Sequence, residues 1–517
     1  MKSQGCTIAT LQAVKNLGHC LLSALTLIFS FPDFNIWFLA WVAFVPLFLV
    51  TSNKSQRETF FLFFITGIIF WAGIIYWLAH VTLAGMILLI LYLALYFALF
   101  GLIIRPYRKN STNFSLIFIP AVWVLCEYLR SWLFTGFPWA LLGYSQYLNL
   151  PVIQIADITG SWGVSFLVML INVGVTEAIR SLKQDSLEKL KTIILLTASI
   201  IILVLSYGYF CLSGQPAQET NSPIHISVIQ GNIPQSLKWE ERYAESILAQ
   251  YAGLTRKAAQ NGLDLVVWPE AAVPGVLGED NWVYEKVFSL AREIKTPLLS
   301  GAVVKDKGYY FGSALLINDS GRIVGRYDKL HLVPFGEYIP LKRFLPFLEV
   351  IVPIGDIQRG KEYTVFKLLT ASRRFLITFS VLDCFEDLFP ALAREFTKRG
   401  VDFLINITND AWYKKSPAAF QHFQASVFRA VENRRYVVRS ANTGVSGFIA
   451  PTGKVVSFVQ DEAGNRIFIE GYREDKLYIA GRRLTFYTRY GDAFIIICIL
   501  CFIYGILSSY FKKRFGL

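Results

Sequence analysis

Residues 375 to 386 read FLITFSVLDCFE, and residues 403 to 408 read FLINIT. Phe375 to Leu382 is an almost continuous apolar run, the pattern of a strand buried on both faces. Cys384 follows it after one residue, and a helix is predicted from about Leu388 to Lys398, stopping at Gly400. Phe403 to Thr408 is then a second buried strand. A strand, a polar turn, a helix and another strand make an α/β layered fold, with the cysteine just past a strand end.

The same alternation extends in both directions. Ile224 to Ile229 (IHISVI) is predicted as a strand, and Glu240 to Asn261 as an amphipathic helix with Ile247, Tyr251 and Leu254 on one face. Leu263 to Trp268 (LDLVVW), a helix over Asn281 to Ile294, and Pro297 to Val304 (PLLSGAVV) follow. Phe311 to Asn318 and Arg322 to Tyr327 form a hairpin around Asp319-Ser320-Gly321.

Outside this stretch the composition changes. The chain has 517 residues, 54% hydrophobic and only 17% charged, where soluble domains carry about 25%. Eight apolar runs approach bilayer length: Leu17 to Phe31, Ile36 to Val50, Thr59 to Ala79, Leu83 to Ile104, Ser115 to Phe134, Trp162 to Ala178, Thr192 to Leu212 and Ala493 to Tyr510. The first two are short and joined by Phe31-Pro32-Asp33-Phe34, so they are read as two spans or as a re-entrant hairpin. The expected organisation is a multi-span α-helical membrane domain over 1–212 with seven spans, an external α/β domain over 213–490, and an eighth span with a basic tail over 491–517.

Basic residues mark one side of these runs. Lys2 and Lys15, Lys54 and Arg57, Arg105, Arg108 and Lys109, then Arg180, Lys183, Lys189 and Lys191 occupy alternate loops, while the intervening ones, including the long stretch from Thr135 to Gly160, contain neither Lys nor Arg. Cytoplasmic loops are enriched in such charges. Both termini are therefore expected in the cytoplasm and the α/β domain outside it, in the periplasm. The net charge of +13 is partly explained by this topology, so no nucleic-acid partner is needed.

Of seven cysteines, Cys6, Cys20, Cys126, Cys211, Cys498 and Cys501 lie in or beside apolar runs. Cys384 alone belongs to the external domain, where it has no disulfide partner. Glu270 follows LDLVVW, Lys329 follows the hairpin strand ending at Tyr327, and Cys384 follows FLITFSVL. Strand ends of this kind are where catalytic groups gather in α/β folds. A carboxylate can take the thiol proton, the thiolate can attack an acyl carbon, and a lysine can stabilise the oxyanion. Glu270 is thus the candidate base, Cys384 the nucleophile and Lys329 the oxyanion stabiliser. A helix after Cys384 would favour its thiolate form. No metal or cofactor is required, and His225, His331 and His422 lie in no zinc-site pattern.

These residues resemble a known family. Trp268-Pro269-Glu270, Lys329 through Glu337 (KLHLVPFGE) and Cys384-Phe385-Glu386 are similar to the Glu-Lys-Cys motifs of the nitrilase superfamily, whose fold is an αββα sandwich. Combined with the spans, they resemble its membrane branch, the apolipoprotein N-acyltransferases. Glu127 to Arg130, Gly136 to Trp139, Gly143 to Gln146, Gln230 to Ile233, Asn409 to Trp412, Gln421-His422 through Arg439 and Asn442 to Gly444 extend the likeness over nearly the whole chain.

The resemblance implies a bacterial inner-membrane enzyme, expected as a monomer. It would carry an acyl chain from a membrane phospholipid to Cys384 as a thioester, then to the α-amino group of the diacylglyceryl-cysteine of an apolipoprotein. It further implies that Glu337 and Glu386 support the lysine and cysteine, and that Trp239 and Trp412 shape the substrate mouth.

Three positions depart from the family pattern. Asp383 precedes the nucleophile where an apolar residue is usual, Gly312 stands where Asn is expected, and Lys414-Lys415 follows Trp412-Tyr413 where Gly is usual. Alternation along a strand would turn Asp383 away from the site. The apolar stretch Phe344 to Ile354 (FLPFLEVIVPI) suggests a lid on the bilayer or a core segment, with Lys342 and Arg343 placed to meet lipid phosphates. Two other functions share these features: a tethered amidase that sends the acyl group to water, and a transporter using the intramembrane Glu127 and Arg130.

Overall fold

The computed structural model describes residues 2–109, 113–214, 223–334, 336–338, 357–370, 375–479 and 481–515. Phe344 to Ile354, with Lys342 and Arg343, lies outside the described residues. The chain forms two units, one of residues 1–213 with 492–517 and one of residues 214–491.

The first unit is helical. Six of its helices are long and apolar enough to cross a membrane: Leu11–Phe29, Gln56–His80, Leu83–Arg108, Ser161–Lys183, Leu187–Ser213 and Ala493–Phe511. Two of the eight expected runs differ. Residues 36–50 split into a 3₁₀ turn, Trp37–Trp41, and a short helix, Val45–Val50, with Pro46 in its first turn. Ser115–Arg130 is one helix of 16 residues, about 24 Å long and so short of a bilayer core.

The charged pair in that helix is accounted for by its own loop. Arg130 donates to the carbonyls of Phe137, Trp139 and Ala140, and Glu127 accepts from the Leu142 N–H at 2.7 Å. The two side chains lie 3.9 Å apart. Together they satisfy backbone groups of the 131–142 loop that lipid could not.

The second unit contains two sheets. The first comprises β1 Ile224–Gln230, β2 Leu265–Val267, β3 Val276–Leu277, β4 Leu298–Asp306, β5 Tyr309–Ile317, β6 Ile323–Asp328 and β13 Gly471–Leu477. Its order is β13-β1-β2-β4-β5-β6, with β3 also on β4. The second comprises β7 Phe366–Leu369, β8 Leu376–Asp383, β9 Phe403–Thr408, β10 Tyr436–Ala441, β11 Gly447–Ile449 and β12 Val455–Phe458, in the order β12-β11-β10-β9-β8-β7. In each sheet three neighbouring central strands are parallel: β1, β2 and β4 in one, β8, β9 and β10 in the other.

Helices Glu241–Ala258 and Asn281–Ile294 cover the first sheet, burying Ile247, Tyr251, Leu254, Val283 and Val287 against Ile229, Val266, Leu298 and Leu315. Helices Pro390–Lys398 and Ala418–Asn433 belong to the second sheet's side. Between the sheets, the Ser440 hydroxyl of β10 hydrogen-bonds the carbonyls of Ile229 and Val267 on β1 and β2. The architecture is an αββα sandwich, as the resemblance implies, and strands β2, β6 and β8 deliver Glu270, Lys329 and Cys384.

Candidate active site

Glu270 is positioned from below by packing. Trp268 is fully buried, stacks on Tyr251 with ring centroids 4.9 Å apart, and donates its indole N–H to Thr255. The following turn presses onto β4 at Gly301, where a Cβ would fall 2.5 Å from the Pro269 carbonyl oxygen and 2.6 Å from the Glu270 Cα. Only glycine admits that approach.

Lys329 directly follows β6, its backbone bonded to Gly312 on one side and Gly360 on the other. Its side chain is fully buried, with Nζ 2.7 Å from Glu337 and 3.4 Å from Glu270. Burial opposes the charge, but Glu337 and Glu270 outweigh it and hold the ammonium well above the ordinary lysine range. Glu337 is fixed in turn by the Val333 N–H.

Cys384 has φ +55°, a left-handed conformation at the sharp turn out of β8, and it opens a 3₁₀ turn, Cys384–Leu388. The α-helix starts only at Pro390, so the expected help of a helix N-terminus to the thiolate is not supplied at the cysteine. Burial, and next Glu270, push the thiol well above its usual value, while Lys329 and a hydrogen bond from Thr408 act the other way. The resting form is the thiol, and a base is needed to ionise it.

Glu386 braces this turn. Its carboxylate accepts from the Tyr327 hydroxyl and from the N–H groups of Leu330, His331 and Asp383, tying the lysine strand to the cysteine turn. Behind the nucleophile, His422 approaches the Cys384 carbonyl at 3.2 Å, Asp387 at 2.9 Å and Asp410 at 2.9 Å. Arg439 contacts the same two aspartates. Burial opposes the His422 charge, as does Arg439, yet Asp387 and Asp410 lift it to about 9.

Asp383 does not turn away, as strand alternation would have it. It is buried and interacts electrostatically with Lys329, Glu270 and Glu337, because the left-handed φ at Cys384 interrupts the extended chain. Burial, and those carboxylates after the opposing pull of Lys329, raise it well above the usual carboxylate range. The site thus disfavours the charged form of Asp383 beside the thiol. Its Oδ2 lies 3.9 Å from where a Gly312 Cβ would stand, so two of the unusual positions face each other. Lys414, the third, has φ +51°, a conformation that suits glycine.

The structure therefore brings Glu270, Lys329, Glu337, Cys384 and Glu386 into one electrostatic cluster. Trp239 and Trp412 are about half exposed, at 49% and 52%, each next to a buried site residue: Lys238 and Asp410 respectively are within two positions. Lys238, the His422 network and the coupling of Asp383 to Lys329 were not legible in the sequence. The adjacency of Lys238 to Trp239 is the one signal that singles it out.

Residues 225–469 match the Carbon-nitrogen hydrolase family, which with the sandwich and its Glu-Lys-Cys cluster defines a nitrilase-type catalytic domain. Residues 23–174 match the apolipoprotein N-acyltransferase N-terminal domain. An apolipoprotein N-acyltransferase of Geobacter metallireducens is 39% identical over 92% of this chain and 92% of its own, and one of Haemophilus influenzae is 30% identical over 84% and 85%. Among solved structures, a Nesterenkonia AN1 amidase of the nitrilase superfamily aligns at 15% identity with TM-score 0.40, covering 54% of this chain and 98% of that one. The chain belongs to the apolipoprotein N-acyltransferase family and is an acyltransferase.

Proposed function

We propose that this acyltransferase moves an acyl chain from a membrane phospholipid to the N-terminal diacylglyceryl-cysteine of an apolipoprotein, in two steps through a thioester on Cys384. The observation that carries this reading is the buried Lys329 ammonium held between Glu337 and Glu270 in the electrostatic reach of Cys384.

Glu270 takes the proton of Cys384, and the thiolate attacks the acyl carbonyl of the phospholipid ester. The carbonyl π pair moves to oxygen, where Lys329 stabilises it. Collapse breaks the ester C–O bond, and Glu270 returns the proton to the leaving glycerol oxygen. The lipoprotein α-amine then attacks the thioester, giving its proton to Glu270, and the expelled Cys384 thiolate recovers it. Glu337 aims the lysine, Glu386 fixes the cysteine turn, and Trp239 and Trp412 flank the entrance. The apolar helices and the family membership support a lipid donor and an inner-membrane setting, with the catalytic unit periplasmic and both termini cytoplasmic.

The test is incubation of the full-length protein with vesicles of chain-labelled phosphatidylethanolamine and a diacylglyceryl-cysteine peptide. Label on the peptide α-amine supports the proposal. Free labelled fatty acid with unmodified peptide would instead favour an amidase-like outcome in which water is the acceptor.

A further inference from the structure

Lys238 sits in the turn between β1 and helix Glu241–Ala258 with its side chain 2% exposed. Removing an ammonium from water costs several kcal/mol unless it is paired. Lys329 meets that requirement with two carboxylates. Lys238 does not: among the described residues its hydrogen bond is to the backbone carbonyl of Glu270 at 3.0 Å, and it forms no ion pair within 4.0 Å. An ammonium has three N–H donors, so two remain uncommitted. The charged and titratable groups that act on it are Glu270, Cys384 and Asp383, so its hydrogen bond to Glu270 holds it within electrostatic reach of the reacting thiol.

We propose that Lys238 is a catalytic residue, a second cationic donor that binds the oxyanion formed when the Cys384 thiolate adds to an acyl carbonyl. The proposal rests on the reading of Cys384 as the acyl-accepting nucleophile. Lys329 is largely neutralised in the resting enzyme by Glu337 and Glu270. Lys238, with no ion pair of its own among the described residues, is the under-neutralised cation. The charge missing from its surroundings appears only in the tetrahedral state: the S–C bond forms, the C=O π pair becomes a lone pair on oxygen, and that oxygen is the anion Lys238 lacks. Interactions made only at that stage accelerate the reaction. The competing role for Lys238 is to hold the Glu270 backbone, which would serve the base and not the oxyanion.

The two roles separate in two reactions of Cys384 measured on the full-length detergent-solubilised protein. Iodoacetamide alkylates the thiolate at a saturated carbon and forms no oxyanion. A p-nitrophenyl acyl ester acylates it through one. Lys238→Met is expected to slow acylation by about 100- to 1,000-fold, the loss typical of one oxyanion donor, and alkylation far less. Lys238→Arg, which keeps a charge, is expected to recover part of the acylation. Equal losses in both reactions, the pattern expected of Glu270→Gln, would mean that Lys238 only positions the base and would overturn the proposal, as would no loss in either.

A wild-type measurement guards against a misfolded variant. Burial pulls the Lys238 ammonium down to about 8, against Glu270, Cys384 and Asp383. The charged donor is present below that pH and lost above it, so acylation relative to alkylation should fall as pH rises through about 8. A ratio that stays flat or rises there contradicts the proposal. If the wild-type protein forms no ester-derived adduct on Cys384 at all, the underlying acyl-enzyme reading fails too, and that failure is visible before any Lys238 variant is made.

Discussion

Glu337 links Lys329 to the backbone that follows it: one carboxylate oxygen lies 2.7 Å from the lysine Nζ, and the other accepts the Val333 N–H at 2.7 Å. The contact is shorter than the 3.4 Å between Lys329 and Glu270. The supporting carboxylate thus anchors the ammonium and leaves Glu270 freer to exchange a proton.

Glu337→Gln should therefore let Lys329 drift toward Glu270. The expected result is a kcat loss of up to about 100-fold, the scale of a misplaced catalytic group, with little change in KM. Steady-state kinetics of the full-length enzyme check it, and an unchanged kcat would remove Glu337 from the site.

Glu386 acts on structure more than on chemistry. Its buried carboxylate collects donors from Tyr327, Leu330, His331 and Asp383, and an amide there would set an N–H against an N–H. Glu386→Gln should destabilise the protein by roughly 2–4 kcal/mol, and Tyr327→Phe by about 1 kcal/mol. Thermal unfolding of the solubilised protein measures both. Equal stability of Glu386→Gln and wild type would contradict the brace.

His422 gives the fold a pH dependence. Its folded-state value, raised to about 9, exceeds the ordinary 6.5. The folded state therefore holds its proton more tightly than the unfolded chain. That stabilisation is complete below about pH 6.5 and is lost as pH rises through about 9, with a scale of about 3 kcal/mol. The melting temperature should decline across this window, and His422→Asn should flatten the decline while lowering stability below it. A wild-type melting temperature that rises through the window would refute the assignment.

The loop charges predict the topology independently of the fold. Reporter fusions after Gly214 and near Gly481 should score as periplasmic, and one after Lys513 as cytoplasmic. A cytoplasmic score at Gly214 would invert the orientation.

The sandwich was legible where local pattern and burial coincide. Phe403–Thr408 and Asn281–Ile294 have the predicted bounds, since an unbroken apolar run and a 3.6-residue periodicity each have one good solution. Strand β7 and strands β10 to β13 went unread because short or polar strands such as Gly471–Leu477, GYREDKL, gain their place from pairing with β1 and not from their own pattern. Residues 36–50 looked like a span by composition, but the 3₁₀ turn ends at Trp41 and a separate short helix starts at Val45, with Pro46 in the first turn where proline is tolerated. In the site, the motif residues were recognisable because each follows a strand. Lys238 was not, since its importance comes from burial against groups distant in sequence; Asp383 was singled out but expected to face away, and the left-handed φ at Cys384 defeats that alternation rule.

The central claim is that Cys384 carries the acyl group between donor and acceptor. Its most direct test is intact-mass analysis of the full-length protein after exposure to phospholipid of one defined chain length, followed by addition of the diacylglyceryl-cysteine peptide. The account predicts a mass increase equal to that acyl chain, located on Cys384 by fragmentation, absent in Cys384→Ser, and discharged to the peptide α-amine in a second phase. Acylated peptide produced by Cys384→Ser at the wild-type rate, or by the wild-type enzyme without any adduct that forms and decays fast enough to account for it, would contradict the account.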